Sequence, residues 1–314
     1  MFVKLAGDCP DLGLEEVFSI HEVLGLSVKL VERVERYCRM ASEIDPKEVL
    51  DRAAFIRDAG YFLSKSEDPK EVAVAFYELG LRGTFKVDAV GFERQEKEEV
   101  DRELGGLVSN FGFEVDVKWP DWIIRIDKVG WAWAVPNFKR ERWVKRFPRR
   151  RPFFHPSALR PRIARAMANL ARPRNVIIDP FVGTGSILIE AGLLGVYGIG
   201  CDIDRKMAVG CKKNVEFYGV LADVVQADAR RLPFRTLPAV ATDLPYGRSS
   251  STHGVKFESL LTEFLDEMRG LLEGRAVIMY PSKYRRMVKE DKGFDLYVHK
   301  NLMRRVSVVK FEED

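Results

Sequence analysis

The stretch NVIIDPFVGTGSILIEAGLLG, residues 175–195, decides how the second half of the chain is built. Its apolar run, Val176 to Ile178, is too uniform for a strand with one wet face and predicts a strand covered on both sides. The run ends at Asp179-Pro180, and Gly183 and Gly185 follow before helical spacing begins near Ser186. Two glycines there let the chain turn tightly and bring backbone close to a ligand, at which the next helix points its N-terminus. Leu188 stands where a dinucleotide-binding fingerprint needs a third glycine, and no lysine follows as a phosphate-binding loop requires, so both nucleotide-phosphate readings lose ground.

Downstream the same alternation repeats. YGIGCDID, ADVVQAD, AVATDLPYG and RAVIMYP read as strands, with RKMAVGCKKNVEFYG and FESLLTEFLDEMRGLLEG as helices between them. This predicts a doubly wound parallel sheet of the Rossmann type, whose ligands bind beyond the carboxyl ends of the strands. The last two segments, FDLYVHKN and RRVSVVKFEE, have no helix between them and predict a C-terminal antiparallel hairpin.

Acids fall at the expected strand ends. Asp202 closes the second strand, where a carboxylate can take two ribose hydroxyls, and Asp228 closes the third, where it can accept from an adenine amine. A single such acid is often a helix N-cap, but three at successive strand ends fit that poorly. Asp204, Asp223 and Glu190 read as helix-terminal or surface charges. The fourth strand ends in TDLPYGRSSS, residues 242–251. An exocyclic amine is a poor nucleophile because its lone pair is delocalised into the ring. The Asp243 carboxylate and the Leu244 carbonyl can each accept one N–H, orienting the nitrogen and stabilising the charge that develops on it. Pro245 fixes the turn and biases Leu244 towards extended backbone, and Tyr246 offers a flat face to a base taken out of its stack. Arg248 and the serines after it either order over a substrate phosphate or form a loop. His155 and Ser157 either cap the helix RPRIARAMANL or cover the cofactor.

The front half differs. MFVKLAG reads as a strand, DLGLEEVFSIHEVLG as a helix, and two Asp-Pro openings, at Asp45 and Asp68, predict helices capped by aspartate. GYFLSK, TFKVDAVGFE, FEVDVKW and DWIIRIDKVG alternate as partly exposed antiparallel strands. The expected division is a ferredoxin-like α+β unit over residues 1–65, a second α/β module over 66–146, a basic linker over 147–156 and the parallel-sheet domain over 157–314.

Residues 1–137 carry 18 Lys and Arg against 27 Asp and Glu, whereas residues 138–174 hold 13 basic residues and one acid. A band of this kind, with Arg149, Arg150 and Arg151 at its centre, is the footprint of a nucleic-acid backbone or else a solvated run. Four cysteines without CxxC spacing and four scattered histidines indicate neither a metal site nor a disulfide framework. No apolar run is long enough to span a membrane and no signal-peptide core precedes the first strand, so the expected location is the cytoplasm.

DPFVGTG, CDID, QAD and DLPY in that order resemble S-adenosylmethionine-dependent methyltransferases that act on exocyclic amines. RPFFHPSALRPRIARAMANLA followed by DPFVGTGSILIEA is similar to RNA guanine-N2 methyltransferases with an N-terminal THUMP domain, most of all the archaeal tRNA (guanine-10-N2)-methyltransferase family. The resemblance covers roughly residues 155–312. It implies S-adenosylmethionine held by Asp179, Phe181, Gly183, Thr184 and Gly185, with Asp202 and Ile203 at the ribose and Asp228 and Ala229 at the adenine. It also implies tRNA as the partner, residues 66–146 as the THUMP domain and transfer at Asp243, Leu244, Pro245 and Tyr246, while the basic band and the loop after the fourth strand offer Arg149, Arg150, Arg151 and Arg248 as the RNA contacts. Two other readings stay open: an adenine-N6 nucleic-acid methyltransferase, and an RNA-binding protein without catalysis. Leu244, where a second proline often stands, bears on adenine against guanine. One methyl transfer is not distinguished from two.

Overall fold

The computed structural model describes all residues except 67, 139–142, 247–253, 300–301, 310 and 312–314. Arg248 therefore lies outside the described residues. In chain order the elements are β1 (Phe2–Leu5), α1 (Pro10–Val23), β2 (Lys29–Val34), β3 (Tyr37–Ala41), α2 (Pro46–Arg52), β4 (Ile56–Lys65), α3 (Pro69–Glu78), β5 (Phe85–Val90), α4 (Arg94–Ser109), β6 (Trp122–Asp127) and β7 (Trp131–Pro136). Two 3-10 turns, Trp143–Arg146 and Pro148–Arg150, precede α5 (Pro161–Leu170), β8 (Val176–Asp179), α6 (Ser186–Gly192), β9 (Tyr197–Asp202), α7 (Arg205–Phe217) and β10 (Ala222–Gln226). Then come β11 (Leu237–Asp243), α8 (Phe257–Leu271), β12 (Leu272–Pro281), a 3-10 segment Ser282–Met287, β13 (Glu290–His299) and β14 (Leu302–Val309). Two compact units result: Met1–Leu5, Leu26–Asp51 and Ile56–Glu141 form one, and Ala6–Gly25, Arg52–Phe55 and Arg142–Asp314 the other.

In the first unit seven strands run in the order β2-β3-β1-β4-β7-β6-β5. β4 serves twice: its first half pairs with β1, Phe2 opposite Gly60, and its second half with β7, Tyr61 opposite Ala134. A Cβ at Gly60 would lie 2.5 Å from the Ala134 carbonyl oxygen, so the handover needs a residue without one. Val72 and Phe76 of α3 and Leu104 and Val108 of α4 pack on Ile124 and Ala132. Both Asp-Pro helix starts form as expected, Asp45 and Asp68 each accepting from a backbone N–H two residues on. Two differences from the sequence reading stand out. The charged helix α4 was not anticipated, because only Leu104 and Val108 of its residues are buried. It crosses over between β5 and β6, which pair in parallel, so the sheet is mixed rather than antiparallel. The alternating segment 113–119 makes one bridge, Val115 to Phe85 of the edge strand β5, and leaves Val117 and Trp119 71% and 81% exposed.

The second unit has the order β10-β9-β8-β11-β12-β14-β13. The first five strands are parallel, and the C-terminal hairpin is antiparallel as expected, with β14 inserted between β12 and β13. Successive residues of the central strands go to opposite cores. Ile177, Ala241, Val277 and Met279 join α1 and α5, whereas Ile178, Val240, Ala276 and Ile278 join α8. That two-sided burial is why these strands read as unbroken apolar runs. β12 begins at Leu272, inside what the sequence reads as helix. A Cβ on Gly274 would lie 1.9 Å from the Pro238 carbonyl oxygen, and the glycine lets β12 run close beside β11.

Helix α1 belongs to this second unit. Its buried Glu16 accepts from the backbone N–H groups of Ala54 and Phe55 at 2.8 and 2.7 Å and from Asn169 Nδ2 of α5 at 2.7 Å. Three bonds of this kind satisfy a carboxylate far from water, and without them its burial would be costly.

Candidate active site

A cavity of about 250 Å³ opens at the carboxyl ends of β8, β9, β10 and β11. The loop after β8 floors it. Gly183 and Gly185 have φ of +52° and +81°, and a Cβ on Gly185 would meet Cys211 Sγ at 2.7 Å. Only glycine satisfies both demands at 185. Asp202 binds this loop: its Oδ2 accepts from Gly183 N at 3.0 Å and its Oδ1 from Asp204 N at 2.9 Å. Asp204 caps α7 through Lys206 N, as read from the sequence. Beneath the loop Asp179 accepts from Thr242 Oγ1 at 2.6 Å and Phe181 N at 3.3 Å. Complete burial pushes its carboxyl up to about 7, against the pull of those two bonds. Phe181 meets Phe264 edge-on, Ile203 is 43% exposed, and Ala229 is buried beside Asp228. Asp228 is held by the Arg230 side chain, Nη2 to Oδ2 2.7 Å, which keeps its carboxyl below the usual range.

The other half of the cavity is the end of β11. Leu244 is buried with its N–H given to the Met279 carbonyl at 3.0 Å, and Pro245 and Tyr246 continue along the wall. Asp243 is gripped by Arg304 of β14: Nη1 donates to Oδ2 at 3.0 Å and Nη2 to Oδ1. The same guanidinium lies 4.9 Å above the Tyr246 ring. Sequence reasoning missed Arg304, because nothing in RRVSVV distinguishes a strand arginine that turns inward. His155 and Ser157 line the cavity and bond to each other at 2.7 Å.

The basic band divides. Arg149 and Arg150 are exposed, but Arg151 is buried and donates to Ser186 Oγ at 2.6 Å and Thr184 Oγ1 at 3.3 Å, bracing the glycine loop from behind. Arg146 and Arg165 enclose Glu190, which is fully buried rather than at a surface. The Phe153 N–H donates to Asn214 Oδ1, its carbonyl accepts from Asn214 Nδ2, and its ring covers Gly210, so the segment expected as a linker is fastened to α7. A second exposed basic run, Lys283, Arg285 and Arg286, begins immediately after β12, whose Met279 is opposite Asp243.

A glycine loop after the first strand, an acid on each of the next two strand ends and Asp-Leu-Pro-Tyr after the fourth, on a sheet of this order, define a Rossmann-type methyltransferase. Residues 148–291 match the family model described as RMKL-like, methyltransferase domain. The chain is 33% identical to the tRNA (guanine(10)-N2)-dimethyltransferase of Pyrococcus abyssi over 96% of its own length and 97% of that protein's. It belongs to the tRNA (guanine(10)-N2)-dimethyltransferase family. Thermus thermophilus TrmN shares the whole α/β fold, including the THUMP-like front region, with a TM-score of 0.51 at 22% identity over 99% of both chains. SMU.472, crystallised with SAH, has a TM-score of 0.50 at 16% identity, covering 100% of this chain and 98% of that one. Among the described residues no helix is long and apolar enough to cross a membrane.

Proposed function

We propose that this cavity is the transfer site of the tRNA guanine-N2 dimethyltransferase. As in the rest of its family the methyl donor is S-adenosylmethionine, which supplies carbon as a sulfonium methyl. The residues fit that group. Glycine at 183 and 185 gives the loop its left-handed turns, and Asp179, Phe181, Gly183 and Thr184 line the cavity. Asp202, whose oxygens accept the N–H groups of Gly183 and Asp204, lines the cavity beside Ile203 where a ribose would lie. Asp228 and Ala229 meet the adenine.

Asp243 and the Leu244 carbonyl each accept one N–H of the guanine amine and Tyr246 stacks on the flipped ring, which aligns the nitrogen with the donor methyl. The donor would supply the methyl group, and Asp243 would stand beside the nitrogen to take its spare proton, as would water. After the first transfer one N–H remains, so the second proceeds with one of the two acceptors empty. Arg149 and Arg150, with Lys283, Arg285 and Arg286 after β12, are among the exposed cations that tRNA phosphates would meet. The cysteines Cys9, Cys38, Cys201 and Cys211 are all free and buried, which suits a reducing cytoplasm.

The observation that carries this reading is that Asp243 and Leu244 line the same cavity as the glycine loop and Asp202. It is tested by incubating the full chain with an unmodified tRNA transcript and methyl-labelled S-adenosylmethionine. Label should appear in N2-methyl- and N2,N2-dimethylguanosine, and none in a transcript with adenosine at position 10. Label in N6-methyladenosine would favour the adenine reading instead.

A further inference from the structure

We propose that Arg304 is a positioning residue for methyl transfer: its two-pronged grip fixes the plane of the Asp243 carboxylate and holds it as an anion, so that Asp243 receives the guanine amine as an acceptor. This rests on the reading of Asp243 given above.

Arg304 lies opposite Pro281 in the pairing of β14 with β12, and Asp243 lies opposite Met279 in the pairing of β12 with β11. The arginine thus reaches past the end of an intervening strand to a residue 61 positions earlier in the chain. Its side chain is 9% exposed, and its Nε is buried without a hydrogen-bond partner among the described residues. As a device for stability this is poor. A buried ion pair is often matched by well-packed apolar residues, and an unpartnered N–H adds a desolvation cost. Burial pulls the guanidinium down to about 10, which leaves it charged at neutral pH.

The surroundings say what the charge does. Among the described residues Asp179, Asp202, Asp204 and Asp228 line the same cavity, with His155 and Arg230 as its other titratable groups besides Tyr246 and Arg304 itself. The Asp202 and Asp204 carboxylates in the same cavity and the apolar side chains of Leu244 and Leu260 would favour the protonated form of Asp243. A protonated acid would lose the charge that stabilises the developing ammonium. Arg304 opposes this directly, and its fork occupies one edge of the carboxylate. The lone pairs left on the oxygens then define a single plane of approach for the amine. The ion pair is close to neutral as a unit, which makes Asp243 a better acceptor than base and leaves the proton to water.

The test uses the full chain, a tRNA transcript and saturating S-adenosylmethionine, with single-turnover rates measured from pH 5 to 9. Wild type, Arg304→Met, Arg304→Lys, Asp243→Asn and the Asp243→Asn/Arg304→Met double variant are compared. Arg304→Met should bind S-adenosylmethionine normally, lose at least about tenfold in rate at pH 7, and shift part of the acid limb upward by about one unit or more. The direction follows from the anion being required: activity falls as pH drops through the Asp243 pKa, and removing the cation raises that pKa. The titration of Asp179 stays where it is. Arg304→Lys, which keeps the charge but not the fork, should keep the limb and lose rate. In the Asp243→Asn background, Arg304→Met should cost no more than about threefold, because nothing remains for it to position. An unchanged rate and limb in Arg304→Met, a loss equal at every pH, or a full loss repeated on Asp243→Asn would each overturn the proposal. If Arg304→Met fails to fold, Arg304→Gln carries the same comparison. Wild-type activity in Asp243→Asn would instead overturn the reading of the site itself.

Discussion

The two ends of the cavity are built by different means. At the cofactor end Asp202 is fixed by backbone N–H groups of Gly183 and Asp204, within 19 residues of chain, and the loop it binds is shaped by glycine torsions. At the amine end Asp243 is fixed by one arginine side chain from the C-terminal hairpin. Backbone donors cannot be titrated or replaced, whereas an ion pair can be undone by one substitution or a pH change. Binding should therefore be robust and transfer fragile.

The largest expected effect lies at the fragile end. Asp243→Ala should lose transfer by about 100-fold or more, the scale of removing one group aimed at developing charge, while S-adenosylmethionine affinity in the same preparation stays unchanged. Rates within tenfold of wild type would remove Asp243 from the reaction.

The buried acid of the cofactor end gives the next effect, on stability. Asp179 sits at about 7 in the fold against roughly 3.9 in an unfolded chain. The folded chain keeps a proton here that the unfolded chain releases, so the contribution of Asp179 to stability falls as pH rises from about 4 to about 7. Asn keeps the acceptor oxygen for Thr242 and Phe181 without that penalty. Asp179→Asn should accordingly gain on wild type across that window, by on the order of 2–4 kcal/mol above pH 7. Urea unfolding at pH 4.5 and 7.5 checks this, and an equal difference at both would refute it. Gly185→Ala should cost about 1–3 kcal/mol and lower cofactor affinity, because its Cβ strains a left-handed turn and collides with Cys211. Thermal unfolding with and without S-adenosylmethionine reads both.

How much of this was legible in the sequence follows the same division. Gly183, Gly185, Asp202 and Asp-Leu-Pro-Tyr could be read because each device spans a few consecutive residues, and the parallel sheet because two-sided burial leaves uniform apolar runs. Arg304 could not, since its meaning depends on which strand lies beside β12. Nor could the fate of Arg151, which looks like its exposed neighbours until the fold places it behind Thr184 and Ser186. Helix α1 was legible as a helix but not as part of the second unit. A fragment beginning near residue 147 would lose α1 and Arg146, leaving buried Glu190 with Arg165 alone of its two arginines.

The smallest effect separates those arginines. Arg149→Gln with Arg150→Gln should leave stability unchanged and flatten the salt dependence of tRNA binding by about 0.7–0.9 log units for each phosphate no longer neutralised. Arg151→Gln should lower stability by about 1–3 kcal/mol through the loss of its bonds to Ser186 and Thr184, with the salt slope retained. A flattened slope in Arg151→Gln would return that residue to the RNA surface.

The division between the two ends is tested most directly by measuring S-adenosylmethionine affinity and single-turnover transfer at saturating cofactor, in parallel, for Asp202→Ala and Asp243→Asn. The expected result is a crossed pattern: Asp202→Ala weakens affinity at least about tenfold yet transfers at near the wild-type rate once saturated, while Asp243→Asn binds as wild type and hardly transfers. Loss of affinity in Asp243→Asn, or a saturated rate in Asp202→Ala as low as that of Asp243→Asn, would contradict it.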